Sequence, residues 1–311
     1  MSGRLPGECD CRQWLRCSIT GLNRLPVLDL SSEFHVGERY MPSPNEAWPI
    51  FVIALEIAVE RRIRMTAQLQ AAGLEFTFID AIDGRKALPP VWEAAVDRQG
   101  TIDLHGYGVT DGEYACALSH QLVYARILDQ GLPGAVVLED DAILTEEFAE
   151  FCRKGGYREA DFIQMFCFSA RIWRGPGRRV LDRIRLFRLE ENCFGAVGYC
   201  LSAKAAARLR DAAKPLRGRA DWPADLTRIG AMLTVPSIVL RLPPGQLQSY
   251  VHETHVNLIP EGFDFSAKYV KGWRRLITPS AWVRFVRRRL SHEIAPGFAV
   301  PAEVTVNRAS Q

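Results

Sequence analysis

The 311-residue sequence has no long apolar run. Crossing a bilayer takes about 20 apolar residues. The longest candidate, 229–240, is shorter and is broken by Pro236, so no membrane span is expected. No secretory opening is visible either, because Arg4, Glu8, Asp10 and Arg12 interrupt what would have to be apolar. Excess charge is also lacking: 39 Lys and Arg stand against 36 Asp and Glu, a net charge of +3. A fold-wide nucleic-acid footprint needs a stronger basic bias, so no specific nucleic-acid partner is expected. No disulfide framework is evident. The eight cysteines are 9, 11, 17, 116, 152, 167, 193 and 200, and several, such as Cys167 and Cys200, sit in apolar contexts. They read as reduced thiols, and so as a cytoplasmic protein. Cys9-x-Cys11 with Cys17 lacks the two-residue gap and the later His of common zinc sites, and reads as thiols in a tail. No internal repeat is present.

What remains is an ordinary globular balance, 48% hydrophobic and 24% charged, long enough for one large α/β domain. Residues 1–48 show no sustained periodicity and end in a turn-rich Met41-Pro-Ser-Pro-Asn. They are expected to be a poorly ordered extension. A catalytic domain is expected over 49–250, and a basic C-terminal region over 251–311. Ile50-Phe-Val-Ile-Ala-Leu55 is a continuous apolar run, as in a strand buried on both faces. A helix over 57–72 ending at Gly73 and a strand over 76–79 follow, a β-α-β opening that suggests a mainly parallel sheet. Residues 85–108 read as an irregular connection. Thr110-Asp-Gly-Glu113 is a capping box starting a helix to about Asp129. Ala135-Val-Val-Leu138 is a further buried strand that ends in Glu139-Asp140-Asp141. Residues 162–168 read as a strand, 175–179 as a loop, 202 as the cap of a helix, and 237–242 as the last strand.

The acidic run is the central chemical feature. Adjacent carboxylates repel each other and need a counter-charge at a buried strand end. A hard divalent cation with oxygen ligands supplies it and leaves positions for diphosphate oxygens. Glu139 and Asp141 have the spacing of the Asp-x-Asp motif of nucleotide-sugar enzymes. The structural alternative is a set of acids favouring the next helix N-terminus, together with Glu146 and Glu147.

Four blocks occur in order: Val52-Ile-Ala-Leu55 with Glu60-Arg-Arg62 and Phe78-Ile-Asp-Ala-Ile-Asp-Gly84; Gly112-Glu-Tyr-Ala-Cys-Ala-Leu-Ser-His120; Val136-Val-Leu-Glu-Asp-Asp-Ala142; and Gly195-Ala-Val-Gly-Tyr-Cys-Leu-Ser202 followed by Trp222-Pro-Ala-Asp225. With these the chain resembles glycosyltransferase family 25, the bacterial lipooligosaccharide β-galactosyltransferase group related to collagen galactosyltransferases. Ala54 departs from the polar residue common there. The resemblance implies a GT-A-like α/β fold, a mixed and mainly parallel sheet flanked by helices. It implies Mn2+ or Mg2+ as the metal, a UDP-sugar donor, most often UDP-galactose, and inverting transfer to a lipopolysaccharide core hydroxyl.

Inversion needs a carboxylate to accept the acceptor's proton. Asp225 matches the family's late Asp and is the candidate base, with Asp221 as backup; the structural alternative for Asp225 is a helix cap. Glu113, Cys116, His120 and Tyr124 share one helical face. Glu113 and His120 are catalytic candidates, against a cap and a satisfied core histidine. Arg61 is a candidate diphosphate contact, whereas Arg62 reads as helix surface charge. Asp83 and Gly84 are candidate nucleotide contacts or a plain turn. In Gly195-Ala-Val-Gly-Tyr199, the glycines let backbone approach the sugar or permit close strand packing. Between Lys268 and Arg289 lie eight Lys or Arg and no acid, interleaved with Trp273, Trp282, Phe285 and Val286. This suits binding to an anionic membrane surface through 268–290, on the inner face of the inner membrane, where a lipid-linked glycan acceptor would lie. Rival readings are a metal-dependent phosphoesterase using the same acids, and a non-catalytic glycan- or lipid-binding relative.

Overall fold

A computed structural model describes residues 47–218, 222–243 and 279–294. The 1–46 part of the expected extension with Cys9, Cys11 and Cys17, the candidate Asp221, and residues 268–278 of the basic stretch lie outside the described residues.

The chain opens with β1 (Ile50–Ala54), α1 (Val59–Ala71) and β2 (Thr77–Asp80), close to the expected β-α-β unit. The less regular connection that follows has local structure of its own. It holds two short helices, α2 (Pro90–Glu93) and α3 (Arg98–His105). Pro90 begins α2, and the Asp97 carboxylate caps α3 by accepting from Gly100 N at 2.8 Å. Helices of one and two turns are too short to display a 3.6-residue period. Next come α4 (Asp111–Asp129), β3 (Gly134–Glu139), β4 (Ile143–Leu144), α5 (Glu146–Arg153) and β5 (Phe162–Gln164). Then follow β6 (Ala170–Trp173), β7 (Arg178–Arg179), β8 (Arg185–Arg188), β9 (Gly198–Ser202) and α6 (Ala203–Ala212). The remaining elements are β10 (Met232–Val235), β11 (Val239–Leu240), α7 (Pro279–Arg289) and β12 (Ser291–Ile294).

Eight strands form one mixed sheet in the order β2-β1-β3-β9-β5-β10-β8-β7. β1 runs parallel to β2 and β3, and β5 parallel to β10, while β9 and β8 run against their neighbours. This is the expected α/β class with a mixed sheet, consistent with a GT-A-like fold. The last expected strand is corrected: β11 pairs with β4 outside the main sheet, and β10 takes the interior place beside β5. β12 pairs with β6 and ties the end of α7 to the domain.

The side-chain period of two divides the sheet into two packed faces. Phe51, Ile53, Val137, Tyr199 and Leu201 face α4 and α6, where Val123, Tyr124, Ile127 and Leu209 meet them. Ile50, Val52, Val136, Leu138 and Cys200 face the other way, against Met65 and Leu69 of α1 and Phe148 and Phe151 of α5. Truncating a fully buried residue such as Leu138 costs about 2–5 kcal/mol. None of the five described cysteines is in a disulfide. Among the described residues, no helix is long and apolar enough to cross a membrane.

Candidate functional site

The buried run of β3 stops at a turn. Ala142 N donates to Glu139 O at 3.2 Å, and Glu139 N donates to Val197 O at 2.9 Å. Gln68 of α1 fixes the far side, donating to Ala142 O and accepting from Leu144 N. The three carboxylates therefore leave one rigid turn in different directions, and each meets its own partner. Glu139 Oε1 lies 3.2 Å from His120 Nε2 on α4. Asp140 Oδ1 accepts from Arg61 Nη1 of α1 at 2.8 Å, and Arg64 Nη2 reaches Asp140 O. Asp141 Oδ2 pairs with Arg241 Nε, just after β11, at 2.8 Å.

Electrostatics differ along the run. Burial pushes the Asp141 carboxyl up to about 6, with Glu139 adding to the rise and Arg241 opposing it. Burial also raises Asp140, against the pull of Arg61. For Glu139 burial is again the largest influence and acts upward. The hydrogen bond and charge of His120, with Arg241 and Arg61, outweigh it and hold the group below the ordinary glutamate range. The counter-charge that the sequence demanded is thus partly built into the fold, as two guanidiniums and an imidazole.

Two buried polar atoms beside the turn have no hydrogen-bond partner, Arg64 Nε and one carboxylate oxygen. Asp141 Oδ1 is buried without a hydrogen-bond partner, on a side chain only 8% exposed. An orphaned carboxylate oxygen costs about 1–3 kcal/mol or more. A hard cation would satisfy it, so Asp141 could hold a divalent ion through this oxygen, while Arg61 keeps Asp140 in place.

The α4 stripe meets this turn from the other face of the sheet. The capping box forms as expected: Thr110 Oγ1 accepts from Glu113 N, and Glu113 Oε2 accepts from Thr110 N at 2.9 Å. Glu113 is thus buried at the start of α4. Two turns on, His120 is 1% exposed, with Nδ1 2.8 Å from Tyr199 Oη on β9. Tyr199 Oη also contacts Tyr124 Oη at 3.3 Å. Burial drives the Tyr199 hydroxyl far above its ordinary range, so it acts as a neutral hydrogen-bonding group.

The fold brings Glu139, Asp140, Asp141, His120, Tyr199 and Arg61 together. The other candidates have partners nearby in sequence or a packing role. Asp83 is exposed and accepts from Arg85, which is the chief reason its pKa is lowered. A Cβ on Gly84 would stand 2.4 Å from Asp111 O, so this glycine lets the loop after β2 lie on the start of α4. Gly195 has φ +111°, and a Cβ there would meet the Phe166 ring at 2.7 Å. Arg62 binds Ala54 O, Leu55 O and Asp80 at the strand ends. Asp225 caps the 3-10 turn Leu226–Ile229, its Oδ1 accepting from Thr227 N at 3.0 Å and Thr227 Oγ1 at 2.7 Å.

Arg241 and Gln68 were missed from sequence. Neither belongs to a motif: Arg241 stands 100 residues beyond its partner Asp141, and only the β11–β4 pairing brings it back. An arginine directly after an apolar strand was the one available signal.

Residues 47–227, more than half of the chain, match the profile of Glycosyltransferase family 25 (LPS biosynthesis protein). The chain is similar to the lipooligosaccharide biosynthesis protein lic2B of Haemophilus influenzae, 28% identical over 51% of this chain and 61% of that protein. It is similar to the lacto-N-neotetraose biosynthesis glycosyltransferase LgtB of Neisseria gonorrhoeae, 29% identical over 58% of this chain and 66% of that protein. A third relative is the inactive glycosyltransferase 25 family member 3 of Mus musculus, 30% identical over 32% of this chain and 17% of that protein. The matched part of this chain spans 61% and 66% of the two bacterial relatives.

Proposed function

The chain belongs to glycosyltransferase family 25, and on that premise we propose that it transfers a sugar from a UDP-sugar to a lipopolysaccharide or lipooligosaccharide core. In our reading the sugar is galactose, the transfer inverts the anomeric centre, and Mn2+ or Mg2+ is required. The observation that carries this reading is the family match over 47–227, a span that contains the acid turn with its one unpartnered carboxylate oxygen. The bacterial relatives' names, lipooligosaccharide biosynthesis and lacto-N-neotetraose biosynthesis, support a glycan acceptor.

Asp141 would hold the ion through its unpartnered Oδ1, with Glu139 as a neighbouring negative charge. Such an ion would supply charge neutralisation at the donor diphosphate and at the departing nucleoside diphosphate. Arg61 and Arg241 hold Asp140 and Asp141, and in this reading would add positive charge beside that diphosphate. His120 and Tyr199 orient Glu139 from behind. Asp225 is our base for the acceptor hydroxyl. Its Oδ1 is engaged by Thr227, whereas Oδ2 has a long 3.5 Å contact to Arg228 on a side chain 47% exposed. The exposed Trp282, Phe285 and Val286 of α7, beside arginines, support docking on an anionic membrane surface. That would place the site at the cytoplasmic face, near a lipid-linked acceptor.

Two observations favour a second reading. The acid turn carries its own cationic partners, and a mammalian relative is named inactive, so a non-catalytic, glycan-binding member is the rival. Thermal unfolding with a panel of nucleotide sugars separates the two. UDP-galactose should raise the midpoint in Mn2+ and not in EDTA. Absence of any Mn2+-dependent protection by UDP-sugars would refute the transferase reading.

A further inference from the structure

We propose that Cys116, His120 and Glu139 form a second cation site, for a borderline-soft divalent ion of the zinc type, distinct in chemistry from the oxygen position at Asp141. The three side chains come from two elements. Cys116 and His120 are four residues apart on α4 and share a face, and Glu139 closes on them from the end of β3. Their ligand atoms all lie within 4.8 Å of one another. His120 Nε2 and Glu139 Oε1 are 3.2 Å apart, close to the roughly 3.3 Å edge of a tetrahedron with metal–ligand bonds of about 2.0–2.1 Å.

The surroundings suit a metal ligand. A coordinating histidine normally has its second nitrogen held by a neighbour that sets the tautomer. Here Nδ1 sits 2.8 Å from Tyr199 Oη, which meets Tyr124 Oη at 3.3 Å, and both tyrosines are buried. In the tautomer with Nδ1–H donated to Tyr199 Oη, Nε2 can serve as a ligand beside the Glu139 oxygen 3.2 Å away, and a bound cation would replace the hydrogen bond between them. A thiolate and a carboxylate together carry the charge that a divalent ion cancels. Entry is open, because Cys116 is only partly buried and the Glu139 side chain is 21% exposed. Three protein ligands leave a fourth position for water or a ligand, unlike a closed structural zinc site. The competing account is a hydrogen bond from a protonated Nε2 to Glu139 with no ion bound.

The site does not depend on the transfer reaction, so the test uses the metals alone. The full chain, with Cys9, Cys11 and Cys17 changed to serine to remove other thiols, is titrated with Co2+ and then Zn2+. A thiolate-to-cobalt charge-transfer band should appear and be bleached by zinc. Cys116→Ser should abolish the band and weaken zinc at least tenfold. Tyr199→Phe should keep the band but weaken the metal about 10- to 100-fold. Asp141→Asn should leave the band intact, which separates this site from the donor-binding ion. No band in the parent chain, or an unchanged band in Cys116→Ser, would overturn the proposal.

Discussion

Two acidic regions carry the proposed chemistry, and they are built in opposite ways. At the acid turn every carboxylate meets a partner distant in sequence: His120 for Glu139, Arg61 for Asp140 and Arg241 for Asp141. At Asp225 the carboxylate is half exposed and engages Thr227 and Arg228, its close neighbours along the chain. Long-range partners exist only when the whole fold is assembled, so they define a preorganised site. Local partners would form in almost any fold, so they speak first for local structure. A base role at Asp225 therefore needs a variant that keeps the cap.

The largest effect should come from Asp141→Asn. It preserves shape but removes the charge beside Arg241 and the donor for the ion. We expect kcat/KM to fall roughly a thousandfold, since metal stabilisation of a leaving diphosphate is worth several kcal/mol. Donor titration by calorimetry should lose its Mn2+ dependence. Metal-dependent binding at parental affinity would mean that the acid turn is structural after all.

Asp225→Asn should come next. Asparagine caps a helix about as well as aspartate, so the turn and the melting temperature should hold. If Asp225 accepts the proton, kcat should fall about a hundredfold or more, with KM for the donor little changed. Unaltered turnover would assign Asp225 to the cap alone.

Stability in EDTA should depend on pH through the acid turn. The folded Asp141 value, about 6, lies above the unfolded value near 3.9. Between them the folded protein holds a proton that the unfolded chain has released. Stability therefore falls as pH rises from about 4 to 6, by up to about 3 kcal/mol. Asp140 acts with the same sign. Glu139 acts oppositely: its contribution is present above the unfolded glutamate value and is lost as pH falls through its lowered folded value. Urea unfolding of wild type and Asp141→Asn at pH 4, 5, 6 and 7 checks this, because the variant should lose most of the downward slope. Equal slopes would show that Asp141 is not the buried anion described.

How far the site was legible follows the same division between local and long-range contacts. The Thr110–Glu113 capping box, the Ser202 cap and the apolar strands at 50 and 135 were readable because their causes lie within a few residues. The acid run was readable as a cluster, but its counter-charges were not. Arg241 is brought to Asp141 by a two-residue strand pairing that leaves no periodic signature. The α4 stripe was visible as spacing, yet its meeting with Tyr199 depends on β9 lying antiparallel beside β3. α3 and β10 were lost for a simpler reason: elements this short are fixed by caps and by neighbouring strands rather than by their own pattern.

The smallest expected effect concerns the place where the two kinds of contact meet. α7 is not simply appended: Arg287 donates to Thr227 at 3.0 Å, and Arg288 pairs with Glu191 at 3.2 Å. The Asp225 turn is thus tied at long range to Asn192, which accepts from Leu226 N at 2.7 Å and donates to Ala224 O at 2.9 Å, and to the helix with the exposed apolar face. Trp282 is 62% and Phe285 53% exposed, and their rings pack edge to face at 6.0 Å. An anionic bilayer would cover these rings and draw in the neighbouring arginines. Each basic residue near such a surface is worth about 1 kcal/mol, so Arg288→Ala should weaken binding to phosphatidylserine vesicles about fivefold. The loss should fade at high salt, where the Debye length shrinks to about 3 Å at 1 M. Trp282→Ala should weaken binding in a way that salt does not erase, because its part is apolar burial. Vesicle flotation across a salt series measures both. If neither variant shifts the bound fraction, α7 is a brace for the Asp225 turn rather than a membrane contact.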